Sequence, residues 1–365
     1  MTERKLGYRP GLDGIRSVAI GLVLLNHTGL SIFEGGGNGV ILFFVLSGFL
    51  ITKLMIEEWG RTDRVSIGGF YGRRAVRILP APTVMLITLF LLRDVITDTV
   101  ETRAYLMKEL LLSATYTMNM RPLLAPYQPV IDGEPFLGYL GHMWSLAVEE
   151  QFYLVWPLLM VSLLLPFASR LGVRAGVPLK LTIAAATITV VRLCIYFLPF
   201  VNSDIASIAV FSFDGFALGA ALAFALHYGS APRLESLLAQ SWVPWAALAV
   251  LFADLLAGRW THDVTSVYVA YTSIASAALI GHIMVAPESM LSKAAAMALP
   301  VYIGKLSYSI YLWHNPIWVY VSSSRFDLPL VTLTLIEWSA TAVIVLISYY
   351  GIEKPALKLR HRFVR

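Results

Sequence analysis

The chain has 365 residues, of which 57% are hydrophobic and only 14% are charged. Soluble domains are about 45–50% apolar and about 25% charged, so this composition argues against an ordinary soluble enzyme. A mean hydropathy of +0.70 favours a membrane protein with several spans. The single cysteine, Cys194, allows no internal disulfide, and no zinc-site spacing occurs. The net charge of +5 does not indicate a nucleic-acid partner, because positive charges also mark the cytoplasmic side of membrane proteins.

Apolar segments of about 20 residues, the length that crosses a bilayer as a helix, recur along the whole chain. The first, 12–30, contains Asp13 and Arg16, so we interpret it as a retained span rather than a signal peptide. Further spans are predicted near 38–57, 78–97, 143–167, 181–201, 206–228, 241–257, 264–286, 300–321 and 329–351. The predicted fold class is all-α, a polytopic membrane helical bundle of about ten transmembrane helices in one domain, 1–365.

Lysine and arginine are distributed unevenly over the connections between these spans. One side holds the N-terminal segment, the 61–77 loop and a tail at 352–365, all rich in basic residues. The positive-inside rule therefore predicts that both termini are cytoplasmic, as an even number of spans requires. The long connection 98–142 is predicted on the outer face, with a short apolar helix near 105–118. The sequence leaves open whether this helix is re-entrant.

Besides Asp13, two ionisable residues lie in the first predicted span. Arg16 and His27 are eleven positions apart, about 16 Å along a helix, and eleven steps of about 100° return them to one face. Ionisable residues inside spans usually face a protein interior or a water-filled cavity and mark function. The structural alternative is an arginine bound to lipid phosphate and a core histidine that bonds a neighbouring helix.

Arg74 and Arg77 form a second basic cluster at the start of the third span. Their spacing of three places both guanidinium groups on one helical face, where they suit bidentate binding of phosphate. Anchoring of the span at the cytoplasmic surface explains the cluster equally well.

Two adjacent carboxylates, Glu149 and Glu150, lie near the start of the fourth span. Neighbours on a helix point about 100° apart, so we expect at most one of them to face the centre of the bundle. A buried carboxylate there would orient or charge-balance a histidine base. The alternative is that both simply favour the N-terminus of the helix, with Trp144 and Tyr153 as interfacial aromatic residues.

Several short sequence motifs occur one after another along the chain. They are Leu12-Asp13-Gly14-Ile15-Arg16 with the Arg16-x10-His27 spacing, 43–51, Arg74-x-x-Arg77-x-x-Pro80, 144–153, 214–219, 306–316 and Glu353-Lys354-Pro355. Over nearly the whole chain they resemble the acyltransferase-3 family of integral membrane O-acyltransferases, which modify bacterial surface sugars, lipids, peptidoglycan and some antibiotics. No nucleophile elbow, P-loop or dinucleotide fingerprint is present.

The resemblance implies a bundle of about ten helices with cytoplasmic termini in a bacterial plasma membrane, which agrees with the charge pattern. It implies acyl-CoA, often acetyl-CoA, as co-substrate, with no bound cofactor or metal and no nucleic acid. The acceptor it implies is a hydroxyl of a glycan, lipid or small molecule. Some members carry a C-terminal SGNH-type domain, and because this sequence stops at Arg365 we expect a stand-alone form.

The mechanism expected from this resemblance divides the polar residues into three groups. Arg16, Arg74 and Arg77 would hold the donor's phosphates. His27 would act as general base on the acceptor hydroxyl, since an unperturbed pKa of about 6.5 suits proton exchange near neutrality. Our own inference from the residues, beyond what the resemblance implies, is that Glu149 or Glu150 would orient His27 or stabilise its protonated form. The candidates for lining the cavity are Asp13, Trp144, Ser145, Tyr153, Asp214 and His314.

A transporter or flippase of a lipid or sugar is the competing hypothesis, because intramembrane arginine, glutamate and histidine also serve transport. The sequence shows no obvious internal repeat, which speaks against this alternative. The identity of the acceptor and the length of the acyl chain are not readable from the sequence.

Overall fold

The computed structural model describes residues 7–28, 30–33, 37–125, 127–131, 134–136, 138–166, 176–196, 213–261, 265–322 and 325–359. Parts of the spans predicted at 12–30, 143–167, 181–201, 206–228 and 264–286 lie outside these residues, as do parts of the connection 98–142 and the end of the tail predicted at 352–365. The described helices are α1 Pro10–His27, α2 Gly37–Thr62, α3 Ile67–Ile78, α4 Pro80–Ile96, α5 Val100–Ala114, α6 Arg121–Leu124, α7 Met143–Leu159, α8 Gly176–Tyr196, α9 Phe213–Tyr228, α10 Pro232–Leu238, α11 Val243–Thr261, α12 Thr265–Val285, α13 Met290–Ala295, α14 Ala298–Tyr320, α15 Leu330–Ser348 and α16 Lys354–Leu357.

The described chain is almost entirely helical, as the sequence predicts. Its strands β1 Val130–Ile131 and β2 Glu134–Pro135 form one short antiparallel ribbon, with Val130 opposite Pro135. Short π-helical segments, Met160–Leu164 and Tyr349–Glu353, continue α7 and α15.

A described helix lies at each of the ten positions where the sequence predicts a span. Four helical segments among the described residues are long and apolar enough to cross a membrane: Gly37–Thr62, Met143–Leu164, Tyr268–Val285 and Leu330–Leu357. The count rises to six if the bent pairs α3–α4 and α10–α11 each form one span. The protein is therefore a helical membrane protein, while the count of ten spans and the cytoplasmic termini stay predictions.

The bend between α3 and α4 modifies the predicted third span. The sequence predicts a span over 78–97, whereas α4 begins at Pro80 and meets α3 at 41°. Proline has no N–H to donate and suits the first turn of a helix, so the chain starts a new helix there. The arginine cluster thus lies on the separate helix α3.

The helix predicted within the outer connection also differs in its bounds. It runs from Val100 to Ala114 rather than from 105 to 118. Thr99 and Thr102 form a capping box that starts α5 earlier, because each hydroxyl satisfies a backbone N–H of the first turn. Tyr116, with φ of 52°, follows its C-terminal end.

The chain divides into two compact units, each described here by itself. Unit 1 comprises residues up to Val65 together with Phe152–Lys305, and unit 2 comprises Ser66–Gln151 together with the residues from Leu306 onward. Of the three boundaries, one lies in the connection between α2 and α3, and the other two fall within α7 and α14. The prediction of a single domain is not decided by this division and stays a prediction.

The core of unit 1 forms around α2, which packs against α1, α9 and α12. Its buried side chains include Leu42, Phe49, Leu222 and Leu279. α2 and α9 approach so closely that a Cβ atom at Gly48 would lie 2.2 Å from the carbonyl oxygen of Phe216. Contact of two helix backbones at this distance requires glycine, as is common between membrane helices.

The core of unit 2 joins α4, α5, the first turns of α7, the C-terminal part of α14, and α15. Its buried side chains include Met85, Leu106, Leu146, Trp313 and Val345. Segments far apart in sequence thus form this core, and polar side chains of the same segments lie beside it.

Substitution Gly48→Ala tests the packing of α2 on α9. The added methyl group forces the two backbones apart, and overpacking of this kind costs about 1–3 kcal/mol. We expect a lower midpoint of thermal unfolding for the purified protein in detergent. Gly21→Ala on α1 is the matched control, because nothing lies within 4 Å of its added Cβ atom. Equal midpoints for the two variants would contradict the close contact.

Candidate functional site

One continuous helix of 18 residues carries both Arg16 and His27. Near its start, Asp13 accepts a hydrogen bond from the Tyr8 hydroxyl at 2.9 Å. Arg16 is half-buried, and its Nε atom is buried without a hydrogen-bond partner among the described residues. Buried polar groups are nearly always paired, so this N–H is an exception that needs an acceptor from outside the described residues.

The last residue of α1, His27, has its ring oriented by its own helix. Nδ1 lies 2.8 Å from the carbonyl oxygen of Val23, and only a protonated nitrogen donates to a carbonyl. In the neutral ring the lone pair is therefore on Nε2, the atom that would take a proton in general-base catalysis. His27 is exposed rather than packed in the core of unit 1.

Unit 1 also contains two of the predicted cavity-lining residues, and both join helices. The Tyr153 hydroxyl on α7 donates to Ser47 Oγ on α2 at 3.0 Å. Asp214, at the start of α9, accepts from the Gly215 amide and from Thr189 Oγ1 on α8, each at 2.9 Å. These bonds tie α7 to α2 and α8 to α9.

In unit 2, α3 presents Arg74 and Arg77 one turn apart. Arg74 is half-buried and its guanidinium carbon lies 5.8 Å from the centre of the Phe70 ring. Arg77 is exposed. Each guanidinium has a carboxylate within electrostatic range, Arg74 that of Glu150 and Arg77 that of Glu353. The two cations are thus partly balanced by acidic groups of the same unit.

Both carboxylates of the predicted pair are half-buried on α7. Glu149 and Glu150 interact electrostatically, and Glu150 Oε1 is buried without a hydrogen-bond partner among the described residues. The proposed partner of this pair, His27, belongs to unit 1, whereas both carboxylates belong to unit 2. The assistance of His27 by Glu149 or Glu150 therefore stays a prediction.

A cluster of rings in unit 2 surrounds two further predicted residues. Ser145 Oγ lies 2.6 Å from the Tyr311 hydroxyl, which also donates to the His142 carbonyl at 2.5 Å. His314 is fully buried and its Nδ1 lies 2.8 Å from the carbonyl oxygen of Tyr311. The rings of His142 and His314 are 5.2 Å apart, centre to centre. Trp144, half-buried, lies in the same first turn of α7.

Among the described residues, no group of three or more histidine, cysteine, aspartate or glutamate side chains is placed to hold a metal ion.

The sequence profile of the acyltransferase domain, acyltransferase-3, matches residues 9–352. The chain belongs to the acyltransferase-3 family. The resemblance inferred from the motifs is thereby confirmed, and the match includes all of the candidate residues.

Relatives of this acyltransferase-3 protein are named as O-acetyltransferases. The O-acetyltransferase OatA of Staphylococcus aureus strain NCTC 8325 / PS 47 is 32% identical over 368 positions, covering 96% of this chain and 57% of the relative. SAS0844 of S. aureus strain MSSA476, with a provisional O-acetyltransferase name, is 29% identical over 97% of this chain and 58% of its own length. The chain thus spans less than two thirds of these curated relatives. No solved structure is detectably similar to it.

Several polar residues for which the sequence predicted no role lie beside the candidates in the structure. His142 and Tyr311 lie with Ser145 and His314, and Glu353 lies within range of Arg77. A signal for two of them was present: His142 opens the Trp144 segment, and Tyr311 precedes His314 by one helical turn. That these two segments meet is a long-range feature, which local spacing does not give.

A further missed residue is Glu109, which is buried on α5 of the outer connection, at 1% exposure. Its Oε2 accepts from the Leu140 amide at 3.3 Å, and Arg121 lies 4.0 Å from Oε1. A Cβ atom at Gly138, where φ is 84°, would lie 2.0 Å from Oε1, so only glycine fits over the carboxyl group. Burial raises the pKa of Glu109 to about 8, although the Leu140 amide and Arg121 both act to lower the pKa.

Glu109 gives the protein a defined dependence of stability on pH. The pKa of Glu109 is raised above the ordinary value of 4.5. Between about pH 4.5 and about pH 8 the folded protein therefore keeps a proton that the unfolded chain has already released. We therefore expect stability to fall as pH rises through this window, by up to about 1.4 kcal/mol per pH unit. Glu109→Gln keeps the shape of the side chain without the titrating proton. In this variant the midpoint of thermal unfolding should change less with pH. Glu101→Gln, exposed on the same helix, is the control; an unchanged slope in Glu109→Gln would refute this assignment.

Proposed function

We propose that this acyltransferase-3 protein is a membrane O-acyltransferase that moves an acyl group, acetyl in the simplest case, from acyl-CoA to a hydroxyl group. The acceptor we propose is a glycan, a glycolipid or another surface or small-molecule hydroxyl in a bacterial plasma membrane. Family membership and the O-acetyltransferase names of the relatives support the reaction class. The observation that carries the proposal is the geometry of His27, an exposed imidazole whose neutral tautomer has its lone pair on Nε2.

The proposed chemistry is a direct transfer with His27 as general base. Nε2 removes the proton of the acceptor hydroxyl while its oxygen attacks the thioester carbonyl. The tetrahedral intermediate collapses, the carbon–sulfur bond breaks, and the imidazolium returns its proton to the departing thiolate of coenzyme A. The products are an ester and free coenzyme A. The Val23 carbonyl keeps Nδ1 protonated during these steps and holds the ring in one tautomer.

Arginine side chains are the proposed binding groups for the donor, which carries several phosphates. Arg16 supports this role with a buried Nε that has no acceptor among the described residues. Arg74 and Arg77 support it with two guanidinium groups one turn apart, suited to phosphate oxygens. Their carboxylate neighbours, Glu150 and Glu353, would hold the side chains in place before the donor binds.

Replacing the proposed base tests the mechanism directly. His27→Ala removes the proton acceptor, and loss of a general base typically costs about 10²–10⁴-fold in rate. The measurement is acceptor-dependent release of free coenzyme A from labelled acetyl-CoA by the purified, reconstituted protein. Thr28→Ala is the control, because Thr28 bonds the Leu25 carbonyl at the same helix end. A normal rate in His27→Ala would show that His27 is not the general base. Movement of the acceptor across the membrane without loss of the thioester would favour a transporter.

Replacing both arginines of α3 tests donor binding. Arg74→Ala together with Arg77→Ala removes two charge-assisted hydrogen bonds, each contributing about 1.5–3 kcal/mol, so we expect a donor Kd raised by about 100-fold or more. The measurement is a binding titration with coenzyme A. Arg73→Ala is the control: it removes one positive charge from the same helix, at a position on a different helical face. If the double variant binds coenzyme A normally, both residues serve only to anchor α3.

A further inference from the structure

Five helices of unit 1, α8 to α12, enclose an open groove of about 610 Å³. This volume is within the range of about 300–1,000 Å³ that small-molecule sites occupy. The bend of 72° between α10 and α11 gives the groove one of its walls. Its surface consists mainly of alanine, leucine, valine and isoleucine side chains, among them Leu218, Ala246, Val250, Ile274 and Ala278.

The polar lining residues turn their hydroxyl groups to partners inside the protein. Thr182 Oγ1 donates to the Pro178 carbonyl at 2.9 Å. The Tyr271 hydroxyl donates to the buried carboxylate of Asp254. The described lining therefore presents hydrocarbon, and a sugar or a nucleotide placed there would lose its hydrogen bonds to water without replacement. The complementary ligand is a hydrocarbon chain.

In the sequence, basic residues are next to lining residues of the groove at the starts of α8 and α10, and a tryptophan precedes α11. Lys180 and Arg233 are exposed and adjoin the lining residues Leu179 and Leu234, while Glu235 is one nearby acidic residue. Trp242, also in the lining, is 59% exposed. Tryptophan is enriched at the level of the lipid headgroups, and basic residues at this level attract anionic headgroups.

We propose that this groove binds one acyl chain of an anionic membrane phospholipid, whose phosphate lies at Lys180 and Arg233. The acyl chain moves from the apolar interior of the bilayer to an apolar groove, so the hydrophobic effect gives little preference for the groove. The preference comes from the headgroup charge and from the fit of the chain between the five helices. This site goes beyond the proposed acyl transfer and does not depend on it.

Photocrosslinking tests the occupant. The full-length protein is reconstituted in phosphatidylcholine vesicles with a small fraction of phosphatidylglycerol that carries a diazirine on one acyl chain, and the adducts are mapped by peptide mass spectrometry. We expect adducts to concentrate on the groove lining. Ala246→Phe with Ala278→Phe fills the groove and should lower their yield by about tenfold, since the rings take the volume of the chain. Ala249→Phe, exposed on α11 but outside the lining, should leave the yield unchanged.

The headgroup is tested with the same probe. Lys180→Gln with Arg233→Gln should lower the phosphatidylglycerol adduct several-fold and leave a phosphatidylcholine probe unaffected, whereas Lys293→Gln should change neither. Adducts spread evenly over exposed apolar residues such as Val331 and Ile347 would overturn the proposal, because they show general lipid contact only. A dimer that the groove-filling variants dissociate would also overturn it, since a second copy of the chain would then cover the groove.

Discussion

Lys53 carries an ammonium group inside an apolar helix, and its hydrogen bond shows the constraint that governs this structure. The side chain is 2% exposed, and its Nζ atom lies 2.8 Å from Nδ1 of His227 on α9 and 3.6 Å from the Glu57 carboxylate. Hydrocarbon offers no hydrogen bonds, so a polar group within a span must find its partner in the protein. An ammonium only donates, so Nδ1 of His227 accepts and the neutral ring has its proton on Nε2.

The same constraint explains how the other helices of unit 1 are joined to α2. Thr52 accepts from the Trp156 indole at 2.9 Å, and Ser47 accepts from Tyr153 at 3.0 Å, so two turns of α2 are bonded to α7. Polar contacts between membrane helices contribute little energy each, about 0.6 kcal/mol on average. Their effect is to fix which faces meet, because rotation of α2 would leave each of these groups unpaired in an apolar environment.

The positions of the helices follow from the sequence because hydrophobicity is a local property. A described helix lies at the position of each predicted span, and α1 contains Arg16 and His27 as predicted. The bounds that differ, at Pro80 and at Thr99, are set by proline and by a capping box, local patterns that override the hydropathy from which the spans are predicted. Contacts such as Lys53–His227 and Ser145–Tyr311 join residues 174 and 166 positions apart, and no helical period encodes them.

Comparison of Lys53 with Arg16 separates two uses of a buried cation. Lys53 has a histidine and a carboxylate as partners in the described structure, and the cost of its burial is offset without a ligand. Arg16 has a buried Nε atom for which the described residues supply no acceptor, so the described structure does not offset this part of its burial cost. In the role proposed for Arg16, a phosphate of the donor would supply the hydrogen bond that folding left unmade. From hydropathy alone both residues are charges in a span; their partners distinguish the structural hydrogen bond of Lys53 from the unpartnered Nε atom of Arg16, on which the proposed donor site rests.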